Sequence, residues 1–99
     1  MNKQKVSNLL GLAQRAGKII SGEEMVVKAI QDQKVKLVFL AHDAAPNLTK
    51  KIQDKSHYYQ VEVITVFSTL ELSIAVGKSR KVLAVTDAGF TKKMRSLME

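Results

Sequence analysis

The apolar positions of this chain fall into two rhythms that alternate from one end to the other. Val6, Leu9, Leu10, Ala13 and Ala16 recur at helical spacing and predict a first helix running from Asn2, with Gly17 placed where a left-handed terminus is expected. Lys18-Ile19-Ile20 is too short for a helix and β-branched enough for a short strand. A second helix is expected to start at Ser21. Its hydroxyl would cap the N–H groups ahead while Glu24 reaches back, a capping-box pattern, and Val26, Val27, Ala29 and Ile30 supply the inward stripe.

The nearly continuous apolar run Val35 to Ala41 marks a central strand covered on both faces, which requires helices on both sides of the sheet. Pro46 fits a first helical turn, and the polar, basic stretch Asn47 to Tyr59 behind it predicts a third helix with one exposed face. Val61, Val63 and Ile64 to Val66 predict the next strand. Ser68 with Glu71 repeats the capping-box pattern and opens a fourth helix that ends at Gly77. Val82 to Val85 is a last strand, and Phe90, Met94, Leu97 and Met98 mark a closing helix. Strands and helices alternating in this way predict an α/β fold, a three-layer α/β/α sandwich with a small mixed sheet of about four strands.

Composition narrows the picture. The 99 residues allow a single domain, residues 1–99, with one sheet-centred core, and one Pro and five Gly leave no room for a long disordered tail. Sixteen Lys and Arg against nine Asp and Glu give a net charge of +7, which points to a polyanionic partner. No apolar run is long enough to suggest a membrane span, and the polar, basic start Met1 to Lys5 does not read as a signal peptide. Without cysteine there is neither a disulfide framework nor a thiolate metal site. A cytoplasmic protein, monomeric when free, is the expectation.

Few residues suggest chemistry. His42 and His57 lack a cluster of further ligands, so no metal is expected. His42, Asp43 and Asp87 follow strands and define a weak hydrolase alternative, against the simpler reading that both carboxylates cap helices. No glycine-rich phosphate loop occurs, no cofactor is implied, and the aromatic residues do not alternate along a strand as in single-strand RNA platforms. Basic groups stand at Lys3 and Lys5, Arg15 and Lys18, Lys50 and Lys51, Lys78 to Lys81, and Lys92 to Arg95. Each alone reads as a solvated face; together they supply salt-sensitive affinity for a nucleic acid. The start of the second helix is the better candidate for choosing a target. Gly22 admits a close approach, free N–H groups of the first turn attract anions, and Lys28 lies on the same face one turn beyond Glu24. The plain alternative is a helix start whose Glu24 pairs with Lys28.

Ser21 to Ile30, the strand Lys36 to Ala41 followed by Asp43, and Glu71-Leu72 leading to Gly77-Lys78 resemble the kink-turn-binding ribosomal-protein superfamily. Within it, Leu10 to Lys18 and Asp87-Ala88-Gly89-Phe90 look like the bacterial YlxQ-like RNA-binding proteins, and the likeness spans nearly the whole chain. The resemblance implies an α/β/α domain without enzymatic activity that binds sharply bent RNA. It implies that Gly22 admits the RNA backbone and that Lys28 contacts RNA, with Lys18, Ser21 and Glu23 in the same contact set. The family's base-reading asparagine and glutamate fall on Glu24 and Met25. An ionised Glu only accepts hydrogen bonds and Met offers no useful one, so base reading differs here. A second contact, the loop before the fourth helix, falls on Phe67, Ser68 and Thr69, with Phe67 placed to stack on an unpaired base. Ser73 replaces a glycine common in the family, and Glu62 a proline. The alternative function is an accessory module that docks on an RNA-containing assembly through protein contacts alone.

Overall fold

The computed structural model describes all residues 1–99. Nine elements follow in order: α1 (Lys3–Arg15), β1 (Ile19–Ser21), α2 (Glu23–Gln31), β2 (Leu37–Leu40), α3 (Pro46–Tyr58), β3 (Glu62–Ile64), α4 (Thr69–Val76), β4 (Val82–Val85) and α5 (Ala88–Met98). The single sheet has the order β1-β4-β2-β3. β4 runs antiparallel to both β1 and β2, and only the β2–β3 pair is parallel, so the sheet is mixed as expected.

The two central strands, β2 and β4, are buried at every position. Because successive strand side chains point to opposite faces, they feed two cores. Leu37, Phe39, Leu83 and Val85 pack under α1, α4 and α5 with Val6, Leu10, Leu72 and Met94. Val38, Leu40, Val82 and Ala84 pack under α2 and α3 with Val26, Ile30 and Ile52. Gly11 lets α1 approach α4 closely, since a Cβ there would meet the Ala75 carbonyl oxygen at 3.0 Å. The edge strands β1 and β3 are three residues long and half-buried, and β3 begins with an exposed Glu62, which suits edges that must not pair with another chain.

Several local expectations shift by a residue or more. Val35 and Ala41 are buried but lie outside the β2 ladder. β3 stops at Ile64, and Thr65 and Val66 turn outward into the loop before α4. The capping box at Ser68 forms, with Ser68 Oγ accepting from the Glu71 N–H at 3.1 Å and Glu71 Oε1 from the Ser68 N–H at 2.9 Å. The one at Ser21 does not. Ser21 is the last residue of β1, and α2 is entered through Gly22 with no side-chain cap. Pairing of Ser21 with Leu83 in the sheet takes precedence over the local capping preference.

Candidate nucleic-acid interface

β1, β2 and β3 run in one direction and β4 in the other, so the C-terminal ends of three strands and the N-terminal end of β4 lie at one end of the sheet. The N-termini of α2, α3 and α4 gather there, together with the Gly77–Lys81 turn that leads into β4. Backbone bonds tie this end together: Gly22 N–H donates to the Val82 carbonyl at 3.2 Å and Ala41 N–H to the Lys81 carbonyl at 2.8 Å.

Gly22 takes φ 94° and ψ 151°, a conformation that is essentially glycine's alone. It turns the chain from β1 into α2 without adding a capping side chain. The first-turn N–H groups of Glu23, Glu24 and Met25 therefore donate to no protein acceptor. α3 enters through Ala45 and Pro46, again with no side-chain cap. These two uncapped helix starts and the turn bearing Arg80 and Lys81 line one open groove, with Gly22, Asn47 and Ser79 among its walls. Unsatisfied N–H groups and helix dipoles make such a groove attractive to anions.

Charge at this end is only partly compensated. Glu23 is held by Lys51 at 3.0 Å, and Lys28 lies 3.8 Å from Asp32 rather than on Glu24. Lys78, Arg80 and Lys81 take part in no ion pair. Arg80 is positioned instead by neutral groups: its Nε donates to Ser21 Oγ at 2.7 Å, and its own N–H donates to Ser73 Oγ at 3.0 Å. The Ser73 hydroxyl also donates to the Thr69 carbonyl at 2.7 Å, linking the start of α4 to the basic turn. Nothing in the local sequence around Ser73 or Arg80 points to this relay; the two segments meet only through the fold.

On the other side of the sheet, Asp43 Oδ1 accepts from Thr69 Oγ1 at 2.7 Å and from the Thr69 N–H at 2.9 Å. These bonds, the hydroxyl's first, hold the Asp43 carboxyl below the usual carboxylate range. Glu71 is lowered as well, chiefly by Lys3 at 2.8 Å and then by the Ser68 N–H. Ser68 and Thr69 thus fasten the loop before α4 to α4 itself and to the end of β2.

Two expected site residues, Phe67 and Lys18, and the carboxylate pair need correction. Phe67 is only 2% exposed, its ring packed 5.9 Å from Phe39, so it has no free face for a base. The loop presents Val66, 40% exposed, and the first turns of α4 present Leu70, 68% exposed. Lys18 precedes β1, and its carbonyl accepts from Thr86 N–H at 3.0 Å, which places it at the opposite end of the sheet from Gly22. The proposed carboxylate pair also fails. Asp87 accepts from Phe90 N–H at 2.9 Å as the cap of α5, and it follows β4, which runs opposite to the strand preceding Asp43. Ser21, Gly22, Glu23, Glu24 and Met25 do share the first end, with Met25 57% exposed, while Lys28 stands in the last turn of α2, about 8 Å further along the helix axis from Glu23.

A small mixed sheet sandwiched between helices, with its uncapped helix starts and basic turn at one end, is the architecture of a ribosomal-protein-like domain. The chain belongs to the ribosomal protein L7Ae/L30e/S12e/Gadd45 family, whose model matches residues 4–95. It is 49% identical over 98 residues to the RNA-binding protein YlxQ of Enterococcus faecium, covering 99% of this chain and 95% of that one. It is 48% identical over 92 residues to YlxQ of Bacillus subtilis, covering 92% of each. A solved structure from Bacillus halodurans C, of a protein with unknown function, superposes with a TM-score of 0.90 at 45% identity, covering 95% of this chain and 96% of that one. The resemblance read from the sequence is therefore borne out.

Proposed function

We propose that this protein is a non-enzymatic, cytoplasmic RNA-binding protein, monomeric when free, that docks on a bent, kink-turn-like RNA through the end of the sheet carrying Gly22. The observation that supports this best is the groove between the uncapped starts of α2 and α3, flanked by Arg80 and Lys81. Phosphates bind there on backbone N–H groups and cations. Such contacts position an RNA without reading its sequence. Two relatives about half identical to this chain are named as RNA-binding proteins, which agrees with that reading.

Within the site the work divides. Gly22, Ser21 through Arg80, and Lys28 serve the backbone. Glu23 is occupied by Lys51, and Glu24 and Met25 face outward at the positions that meet bases. Glu24 can accept from exposed amino groups of bases, while Met25 offers apolar contact only. Ser68 and Thr69 act by holding the second contact loop, whose exposed Val66 and Leu70 take the place of the buried Phe67 against unpaired nucleotides. The groove and this loop lie on opposite faces of one sheet end, an arrangement that favours an RNA bent around that end.

Filter binding of a kink-turn RNA against a straight duplex of equal length tests the proposal. The bent RNA is expected to bind more tightly at physiological salt; equal affinities refute shape recognition. A Lys28→Glu, Lys81→Glu double variant changes two exposed side chains and leaves Gly22 unstrained. Each reversed charge removes roughly one phosphate contact, so affinity should fall with a shallower salt dependence. Unchanged RNA binding would move the site elsewhere.

A further inference from the structure

We propose that the opposite end of the sheet carries a second RNA-backbone site, a basic cleft between α5 and the turn from α2 to β2. The inference rests on RNA being the partner of the first site. The cleft is walled by Lys34, Lys36 and Lys92, and none of these lysines belongs to an ion pair. Arg95 stands beside them, its Nε on Glu62 Oε1 at 2.9 Å and its Nη2 on the Lys36 carbonyl at 3.1 Å, so its plane is fixed and its charge paired. Two carboxylates are present, Asp87 and Glu99. The first also serves as the cap of α5 through Phe90 N–H, and the three unpaired lysines outnumber the two carboxylates.

The lining selects the ligand. None of its twelve residues is aromatic, so it offers no ring for a stacked base. There is no glycine-rich loop to wrap a terminal phosphate group. An open row of flexible ammonium groups with the hydroxyls of Thr86 and Ser96 suits a phosphodiester track read without regard to sequence.

The two sites cannot be one. The first lies at Val82 and the start of α2; the second lies at Val85 to Ala88 and beyond the end of α2, at Gln33 and Lys34. Between them runs β4, from Val82 to Val85, about 10 Å along the strand. Lys18, bonded through its carbonyl to Thr86, stands on the second side. A protein occupied at both ends joins two RNA segments rather than lengthening one contact.

The test saturates the protein with an unlabelled kink-turn hairpin and then titrates a labelled straight duplex by fluorescence anisotropy at about 50 mM salt, where non-specific contacts are strong. The duplex is expected to bind the saturated protein, with a salt dependence of roughly two to three phosphate contacts. In a Lys34→Gln, Lys36→Gln, Lys92→Gln variant, which changes exposed side chains only, duplex affinity should fall about tenfold while hairpin affinity stays within about twofold. An unchanged melting temperature confirms that the variant is folded. Failure of the duplex to bind the saturated protein, or equal duplex binding by the triple variant, overturns the proposal. The Lys28→Glu, Lys81→Glu variant keeps the two readings apart: it should bind the hairpin no more tightly than the duplex while duplex affinity is retained. Displacement of the duplex by an acidic peptide but not by a second RNA would assign the cleft to protein instead and also overturn it.

Discussion

Replacing Gly22 with alanine isolates the backbone geometry on which the proposed site depends. An added Cβ would meet no heavy atom within 4 Å, so the substitution creates no clash and fills no cavity. What it does impose is an L-residue at φ 94°, ψ 151°. Holding a residue in so sparsely populated a region costs about 1–3 kcal/mol. For a domain of this size that corresponds to a fall in melting temperature of about 4–8 °C per kcal/mol. Thermal unfolding followed by circular dichroism measures the loss, and RNA affinity measured well below the transition reports the site. The chain has two ways to respond. It can keep the conformation and show the full loss of stability with near-normal binding, or relax and turn α2, dispersing the N–H groups that face the groove. Gly77→Ala is the control, because Gly77 also has a positive φ of 80° and open space around it but lies in a different turn. A Gly22→Ala protein with unchanged melting temperature and unchanged RNA binding would refute the claim that the α2 entry needs glycine.

Three further outcomes follow from the contacts. Phe67→Ala empties a fully buried position against Phe39 and should cost about 3–5 kcal/mol by urea denaturation, whereas Leu70→Ala on the exposed face should leave stability within about 0.5 kcal/mol and weaken RNA binding. Ser73→Ala removes the hydroxyl that joins Thr69 to Arg80; a loss of about 0.5–1.5 kcal/mol is expected together with weaker RNA binding, and full retention of both contradicts the relay. Asp43 has a lowered folded-state pKa, so its contribution is complete above the unfolded value of about 3.9 and disappears as pH falls towards the lower folded value. Asp43→Asn should therefore reduce stability at neutral pH and flatten the decline seen on acid titration below about pH 5; an unaltered acid profile counts against the Thr69 contact.

The alternation of helical and strand periods, the central placement of the Leu37–Leu40 strand and the stop at Gly77 were legible along the chain because each depends on neighbours a few residues apart. The same holds for the Ser68–Glu71 capping box, for the charge surplus, and for the motifs that tie the chain to its family. Where local preference and sheet pairing competed, pairing won: Ser21 looks like a cap and is a strand residue, because its register against Leu83 satisfies the backbone over a whole ladder. Phe67 looked like an exposed stacking group because sequence does not say which side of a strand end faces the core.

The direction of the strands decided the rest. Lys18 and Gly22 are four residues apart, and Asp43 and Asp87 both follow strands, yet each pair is divided between opposite ends of the sheet. Conversely, Ser21, Ser73 and Arg80 are scattered along the chain and meet at one hydrogen-bonded corner. Sequence determined which elements form and which sign of charge the surface carries, since both are sums over local residues. Only the antiparallel pairing of β4 with β1 and β2 determined which helix starts and which lysines share an end, since that depends on contacts between segments far apart in the chain.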